Sequence, residues 1–160
     1  MTAITRIGIL GLGKMGAPMA KHLLARGFRV CGYDPVEAAR RTALSHGVDI
    51  EMSPADVARS SDVVIVVVGF DQEVETVLFG ADGVVSAARS GLVVALGSTV
   101  APRYARRIAE RLAERGIVLL DIPLARGEAA AVEGKLLIYG AGEAAAFEAC
   151  RAAFSAFASD

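Results

Sequence analysis

Three glycines near the N-terminus have the spacing of an anion-binding turn. Gly11, Gly13 and Gly16 follow an apolar run at 7–10, and a helix is predicted to begin near Lys14. The first glycine permits a tight turn, the second leaves room for a pyrophosphate, and the third lets the helix pack closely on the strand. The free N–H groups at the start of that helix would hold the pyrophosphate. The predicted cofactor-binding residues are Gly11, Leu12, Gly13, Lys14, Met15 and Gly16.

An acidic residue is placed to select the nucleotide. A second apolar segment, 28–34, is predicted as a strand that ends in Asp34, at about the ~20 positions expected after such glycines. A carboxylate there accepts hydrogen bonds from the adenine ribose and repels a 2′-phosphate, so NAD is predicted in preference to NADP. Arg40 and Arg41 follow on the next helix and leave NADP as an alternative cofactor, although we expect both side chains to face water. The structural alternative is a glycine turn that only joins a strand to a helix.

The elements that position these residues alternate along the chain. Strands are predicted at 7–10, 28–34, 48–52, 62–69, 92–96, 117–120 and 135–139, and helices from about 14 and at 35–46, 55–59, 71–79, 84–89, 103–115 and 143–157, with 124–133 as a loop or short helix. Helices of crossover length follow the strands, which predicts an α/β fold of the Rossmann type. We expect a doubly wound, mainly parallel sheet with helices on both faces. One more strand would fit after the last helix.

Composition limits the number of domains and the kinds of partner. The 160 residues suffice for one domain but not for two ordinary ones. With 17 basic and 18 acidic residues, the formal charge of -1 favours neither nucleic acid nor an anionic membrane as a partner.

Cysteine usage and targeting signals bear on the compartment. Cys31 and Cys150 are far apart in sequence and form no C-x-x-C motif, so we expect two buried thiols in a reducing compartment. The N-terminus lacks the form of a signal peptide, and no apolar run approaches the ~20 residues of a membrane span. The prediction is a cytoplasmic protein.

Several motifs resemble one family of dehydrogenases. The relevant segments are Gly-Leu-Gly-Lys-Met-Gly-Ala-Pro-Met-Ala at 11–20, Gly-Ser-Thr-Val-Ala-Pro at 97–102, Asp-Ile-Pro-Leu at 121–124, and the glycine turns at 134–136 and 140–142. They resemble signature segments of the β-hydroxyacid dehydrogenases, the family of 3-hydroxyisobutyrate dehydrogenase and 6-phosphogluconate dehydrogenase. The resemblance covers nearly the whole chain.

The resemblance implies further contacts with the cofactor. Ser98 and Thr99 would lie near the nicotinamide, with a hydrogen-bonded helix cap as the alternative role. Val68 and Gly69 would contact the adenosine side through their backbone. Phe70 would join them there, or else lie in the core.

The segment at 125–127 departs from the family pattern. The family usually has Ser-Gly-Gly there to bind the substrate carboxylate, whereas this chain has Ala125, Arg126 and Gly127. Ala125 has no hydroxyl, but the Arg126 guanidinium can hold a carboxylate with two hydrogen bonds. These three residues are therefore expected to bind a small-molecule carboxylate substrate, with Arg126 as the anchor of its acid group. A solvated arginine on a turn is the alternative.

Members of the family are about twice this length and carry a second, helical domain. Residues 1–160 would then be the NAD(P)-binding Rossmann domain, with the C-terminal helical domain absent. The family's catalytic lysine begins that second domain, and Lys14, Lys21 and Lys135 do not match its position. The intact protein is predicted to be an NAD(P)-dependent β-hydroxyacid dehydrogenase, and this chain alone to be inactive.

Two other functions remain open at this point. One is a stand-alone domain that binds or senses NAD(H) without catalysis, and the other is the cofactor half of an imine reductase. The family forms dimers largely through its helical domain, so a homodimer is possible. An exposed sheet edge or an apolar face near Phe154 and Phe157 is a candidate surface for self-association.

Overall fold

A sheet of seven strands lies at the centre of the protein, with helices on both faces. The computed structural model describes residues 4–87 and 89–160. Its strands are β1 (Arg6–Leu10), β2 (Arg29–Tyr33), β3 (Asp49–Ile50), β4 (Val63–Val66), β5 (Val93–Leu96), β6 (Val118–Asp121), β7 (Leu124–Ala125), β8 (Leu137–Ile138) and β9 (Ala141–Gly142). Its helices are α1 (Gly16–Ala25), α2 (Glu37–Ser45), α3 (Pro54–Ser60), α4 (Asp71–Phe79), α5 (Val84–Ala87), α6 (Pro102–Ala113), α7 (Gly127–Glu133) and α8 (Ala144–Phe154). Within the described residues, none of these helices combines the length and apolar character needed to cross a membrane.

The strand order confirms the predicted doubly wound fold. It is β3-β2-β1-β4-β5-β6-β9, and each neighbouring pair is parallel except the last, in which β9 runs antiparallel to β6. Because the order reverses direction between β1 and β4, the connections after these two strands leave on opposite faces of the sheet. The carboxyl ends of β1, β2, β4 and β5 meet at one edge, where folds of this type bind ligands.

Alternating strand residues build two separate apolar layers. Ile7 and Ile9 of β1 pack with α1, α2, α7 and α8, whereas Leu10 packs with α3, α4, α5 and α6. The central strands are apolar on both sides because both sides are covered by helices. This arrangement explains the uninterrupted run of apolar β-branched residues in β4, Val63-Val64-Ile65-Val66, which is buried throughout.

The predicted elements are largely confirmed, with shifts at their ends. Helix α4 has the predicted bounds, with Val74, Val77 and Leu78 buried. Ser53 caps α3, since its Oγ accepts a hydrogen bond of 3.1 Å from the Asp56 N–H. The helix predicted at 84–89 includes residue 88, which lies outside the described residues.

The chain pattern does not predict two of the strand pairs. Strands β7 and β8 form their own antiparallel sheet, so the strand expected at 135–139 lies outside the parallel one. Strand β9 occupies the expected glycine turn at 140–142. Two-residue strands are too short to show a period of two, which is the signal that identifies strands.

The last residues add a parallel segment beside β8. The Leu136 N–H donates to the Phe157 carbonyl at 3.1 Å, and the Ser159 N–H donates to the Leu136 carbonyl at 2.9 Å. Ala158 forms the corresponding parallel bridge with Leu136. A further extended segment after the last helix is thus present, and it pairs with the small sheet.

The expectation of an exposed apolar face near the last helix is wrong. Phe154 is 4% exposed and Phe157 is fully buried. Their rings lie 6.2 Å apart, and Phe147 packs on Phe154 at 5.4 Å. These three aromatic rings fill the layer between α8 and the sheet, so they offer no surface for self-association.

Both cysteines are buried and unpaired, as predicted. Burial raises the pKa of Cys150 to about 12, and burial also raises the pKa of Cys31, whose Sγ lies 3.4 Å from Ser61 Oγ. Neither thiol forms a reactive thiolate near neutral pH.

Candidate functional site

The turn between β1 and α1 leaves a row of backbone donors free. Gly11 has a φ of 97°, and a Cβ there would lie 2.3 Å from the Val67 carbonyl oxygen, so only glycine fits. Within residues 4–87 and 89–160, no oxygen accepts a hydrogen bond from the N–H groups of residues 13–16. The first turn of α1 has no acidic residue. Such a helix start binds anions.

The other two glycines control access to these donors. A Cβ added to Gly13 would meet no atom within 4 Å, so open space lies in front of the turn. A Cβ on Gly16 would lie 1.8 Å from the Gly11 carbonyl oxygen and 3.3 Å from Ile9 of β1. The predicted geometry is confirmed at both positions: one glycine keeps a space open, and the other allows close packing of helix on strand.

Asp34, just beyond β2, is only 9% exposed and shapes the turn. Its Oδ2 accepts the Leu12 N–H at 2.8 Å, and its Oδ1 accepts the Val36 N–H at 2.8 Å. A carboxylate has about four acceptor positions, so each oxygen keeps capacity for a ligand hydroxyl. Leu12 is buried and donates its N–H to this carboxylate, which means that it shapes the turn.

The two arginines after Asp34 occupy different environments. Arg40 is half-buried, and its Nη1 donates to the carbonyl oxygens of Asp34 at 2.6 Å and Pro35 at 2.9 Å. Arg41 is exposed and pairs with Glu37. The expectation that both face water is therefore wrong for Arg40, whose guanidinium supports the loop that carries Asp34.

Ser98 joins the ends of β4 and β5. It is 6% exposed, and its Oγ accepts the Val68 N–H at 2.9 Å and donates to the Val68 carbonyl at 2.8 Å. The helix-cap role is wrong, because the N-cap residue of α6 is Ala101, which makes no side-chain hydrogen bond. Thr99 is exposed at the same edge of the sheet.

The loop after β4 is held by its own helix. Glu73 of α4 accepts the Gly69 N–H at 2.7 Å and the Phe70 N–H at 2.9 Å through the same Oε2. Phe70 is 77% exposed, so the core alternative for it is wrong. The backbone N–H groups of Val68, Gly69 and Phe70 are thus all bound within the protein.

Two exposed apolar side chains lie on either side of the turn. Phe70 follows β4, and Val36, which is 57% exposed, follows β2. β1 lies between these two strands, so both side chains follow strands that neighbour the one that leads into the glycine turn. Sequence reasoning missed Val36, although an apolar residue directly after Asp34-Pro35 was a usable signal.

Arg126, between β7 and α7, is held by internal contacts. Its φ of 81° lies in the left-handed region, which is unfavourable for a side chain of this size. The guanidinium donates to the Lys135 carbonyl at 3.1 Å, Ser159 Oγ at 2.9 Å and Asp160 Oδ2 at 2.8 Å. The side chain is 43% exposed, so it is accessible from solvent in part.

An ion pair brings the segment at 125–127 to the glycine turn. Lys14 Nζ lies 3.4 Å from Oε2 of Glu128, the second residue of α7. Both side chains are mostly exposed, so the pair stabilises little. The pair shows instead that the residues predicted to bind substrate lie next to those predicted to bind the cofactor. Sequence reasoning missed Glu128.

Groups able to move a proton are scarce at this edge. Asp121 ends β6, and burial raises the pKa of its carboxyl. Lys14 and Lys135 are paired with glutamates. Within the described residues, no cluster of His, Cys, Asp and Glu could hold a metal ion. The arrangement suits binding of an anion and a ribose, with two exposed apolar side chains on neighbouring loops.

Comparison with known proteins agrees with this geometry. A family model for the NAD-binding domain of 6-phosphogluconate dehydrogenase matches residues 6–160. The L-threonate dehydrogenase of Cupriavidus necator is 38% identical over 154 residues, which are 95% of this chain and 51% of that protein. The NAD-dependent L-serine dehydrogenase of Pseudomonas aeruginosa is 36% identical over 151 residues, or 94% and 51% of the two chains.

Solved structures show the same fold. The 3-hydroxyisobutyrate dehydrogenase of Salmonella typhimurium has a TM-score of 0.90 at 30% identity, over 97% of this chain and 54% of that one. An imine reductase variant of Myxococcus stipitatus in complex with NAD+ has a TM-score of 0.86 at 23% identity, over 99% and 53% of the two chains. The latter likeness shows the fold alone.

The chain spans about half the length of the curated relatives that it matches. The match begins in β1 and continues to the last residue, and so includes the glycine turn, Asp34 and the whole sheet. The chain therefore belongs to the family of NAD-binding domains found in 6-phosphogluconate dehydrogenase and the 3-hydroxyisobutyrate dehydrogenase-like enzymes.

Proposed function

We propose that this chain is the cofactor-binding part of an NAD-dependent dehydrogenase that acts on the hydroxyl of a small β-hydroxy acid. The observation that carries the proposal is the row of free N–H groups at residues 13–16, which faces open space in front of Gly13. The names of two relatives, which act on L-serine and L-threonate, support a small hydroxy-acid substrate.

Each part of the nucleotide has a matching group in this arrangement. The N–H groups of residues 13–16 would hold the pyrophosphate, with Lys14 nearby as a further positive charge. The remaining acceptor positions of Asp34 would bind the adenine ribose hydroxyls. Val36 and Phe70 would enclose the adenine ring. Ser98, together with Thr99, would border the nicotinamide, while Val68 and Gly69 shape the loop between the two ends.

The nicotinamide would supply hydride transfer to or from the hydroxyl-bearing carbon of the substrate. This chain's part in that step is to hold the ring at the ends of β4 and β5. Ala125, Arg126 and Gly127 would bind the substrate carboxylate, with the partly exposed Arg126 side chain as the donor. A lysine beyond residue 160 would exchange the hydroxyl proton, so the chain alone would bind nucleotide without turnover.

Replacing Gly13 with alanine tests the nucleotide site. The added Cβ meets no protein atom within 4 Å, and the position needs no positive φ, so the fold should be unaffected. The methyl group would occupy the space proposed for the pyrophosphate. We expect NADH affinity to fall at least tenfold with an unchanged thermal midpoint, measured by nicotinamide fluorescence and circular dichroism. Unchanged affinity would exclude this turn as the binding site.

A stand-alone NAD(H)-sensing domain remains the second candidate, since it needs the same site without catalysis. Sequencing the gene beyond the codon for Asp160 separates the two functions, because a dehydrogenase requires about as many further codons as are present here. Turnover assays of the intact protein with β-hydroxy acids and cyclic imines separate a dehydrogenase from an imine reductase.

The homodimer and the cytoplasmic location stay predictions. The described residues offer two buried, unpaired thiols in support of a reducing compartment. We expect dimerisation to depend on the second domain, so the 160-residue chain should elute as a monomer in size-exclusion chromatography.

A further inference from the structure

A groove between α4 and α6 carries arginines that the surrounding residues leave unpaired. It has a volume of about 770 Å³ and lies on the face of the sheet opposite α1. Small-molecule sites have volumes of about 300–1,000 Å³. The arginines that line the groove are Arg103, Arg106, Arg107 and Arg111, all from α6.

Three of these arginines have no acidic partner. Arg111 pairs with Glu75 of α4 at 2.8 Å. Within residues 4–87 and 89–160, no carboxylate oxygen lies within 4.0 Å of a guanidinium nitrogen of Arg103, Arg106 or Arg107. Their spacing of three and four residues places like charges side by side, which destabilises the helix. A multiply charged anion would relieve that repulsion.

The base of the groove is held rigidly. The hydroxyl of Tyr104 lies 3.1 Å from Glu75 Oε2 and 3.1 Å from the Asp71 carbonyl oxygen. Burial, together with the hydrogen bond to Glu75, raises the pKa of Tyr104 to about 12, so it stays a donor. The Arg111 guanidinium also lies 3.5 Å above the Phe79 ring. The charge of Glu75 is therefore offset by Arg111, and its carboxylate also accepts a hydrogen bond from Tyr104.

The Tyr104 ring at the bottom of the groove orients one of the unpaired arginines, Arg107. The Arg107 guanidinium lies 5.7 Å from the centre of the Tyr104 ring, and Arg103 is one helical turn before it. Four residues of helix rise by about 6 Å, so the two arginines match neighbouring anionic groups on one small molecule. The carboxylates of Asp71 and Glu110 also line the groove and offset part of its positive charge, so an anion would have to bind directly at the guanidinium groups.

We propose that the groove binds a small polyanion that bears two or more phosphate or carboxylate groups, held by Arg103, Arg106 and Arg107. Guanidinium groups bind both kinds of oxyanion through paired hydrogen bonds. The chain has a formal charge of -1, so its overall charge does not attract polyanions, and binding would have to come from this local cluster. The site is separate from the glycine turn and does not depend on the proposed dehydrogenase function.

Calorimetric titration of the 160-residue protein with tripolyphosphate and with citrate tests the proposal. We expect one-to-one binding of at least one of them in low-salt buffer when the glycine turn is saturated with NADH. Arg103→Gln and Arg107→Gln should each weaken it at least tenfold. Arg115→Gln is the matched control, since it makes the same charge change at an exposed arginine just beyond α6 and outside the lining. Circular dichroism confirms that each variant is folded.

Each outcome has a definite meaning. Binding of tripolyphosphate alone identifies a phosphate ligand, binding of citrate alone identifies a polycarboxylate, and binding of both supports the shared chemistry. The proposal is overturned if neither gives heat beyond sodium chloride at equal ionic strength. It is also overturned if Arg115→Gln weakens binding as much as Arg107→Gln, or if no binding remains when the glycine turn is saturated with NADH.

Discussion

At the scale of single residues, Asp34 combines two roles in one carboxylate. It fixes the glycine turn through the Leu12 N–H and the next loop through the Val36 N–H. It is also the residue proposed to meet the adenine ribose. Asparagine preserves an oxygen acceptor but removes the negative charge, whereas alanine removes both. The two substitutions therefore separate charge from hydrogen bonding.

We expect Asp34→Asn to raise the affinity for NADPH at least tenfold, because the repulsion of a 2′-phosphate is lost and Arg40 lies next to the loop. Asp34→Ala should weaken both nucleotides and lower the free energy of unfolding by about 1–3 kcal/mol, because the buried Leu12 N–H and the partly buried Val36 N–H lose their acceptor. Parallel fluorescence titrations with NADH and NADPH, with urea unfolding, measure these effects. An asparagine variant that keeps the preference for NADH would show that the charge does not set selectivity.

The sequence was sufficient to predict the residues whose role follows from backbone geometry. The tight turn at Gly11 and the close approach at Gly16 follow from spacing alone. The sequence did not predict the hydrogen-bond partners of Arg126, because Ser159 and Asp160 come close to Arg126 only when the last residues pair beside β8. The roles of the individual cofactor and substrate residues stay predictions.

At the scale of elements, Ser98 connects two strand ends that must keep a fixed separation. Its Oγ provides the acceptor for the Val68 N–H and is itself buried. The hydroxyl thus holds the β4 loop against β5 at the point proposed to border the nicotinamide.

Ser98→Ala should lower the free energy of unfolding by about 1–3 kcal/mol, since the partly buried Val68 N–H loses its acceptor. Thr99→Ala, the exposed neighbour, is the control and should change it by less than about 0.5 kcal/mol. Urea unfolding followed by circular dichroism gives both values. Equal effects at the two positions would contradict a special role for the Ser98 hydroxyl.

Long periodic elements were predictable and short ones were not. Helix α4 and the buried strands are identifiable from the sequence because each contains several apolar residues at a regular spacing. β7, β8 and β9 each contain two residues, so their pairing depends on tertiary contacts. The burial of Phe157 likewise depends on where the chain turns after α8, which local sequence does not determine.

At the scale of the whole molecule, the amino edge of the sheet carries an ionic cluster. Asp62 pairs with Arg6 at 2.7 Å and with Arg89 at 3.0 Å, and it accepts N–H groups from Thr5 and Arg6. Partial burial opposes its ionisation, but the hydrogen bonds from Arg6 and Thr5 outweigh burial and lower the pKa of Asp62 to about 2.

This cluster predicts a loss of stability in acid. The ionised form of Asp62 is favoured in the folded state, so its contribution is complete above about pH 4 and declines as the pH falls towards 2. Allowing for solvent screening, Asp62→Asn should lower the free energy of unfolding by about 1–2 kcal/mol at pH 7 and by less at pH 2. Urea unfolding across this range measures both. Parallel acid profiles for the two proteins would contradict the assignment.

The residues at the amino edge and at the carboxyl edge of the sheet can consequently be substituted at different rates during evolution. Charges and donors at the amino edge are satisfied by one another, whereas the turn before α1 keeps its donors free. A lineage can therefore exchange residues around Asp62 to suit its temperature or acidity without altering ligand preference. At the carboxyl edge, a substitution of Asp34 that removes its oxygen acceptors would alter stability and cofactor selectivity together, so a change of cofactor should pass through asparagine before any smaller residue.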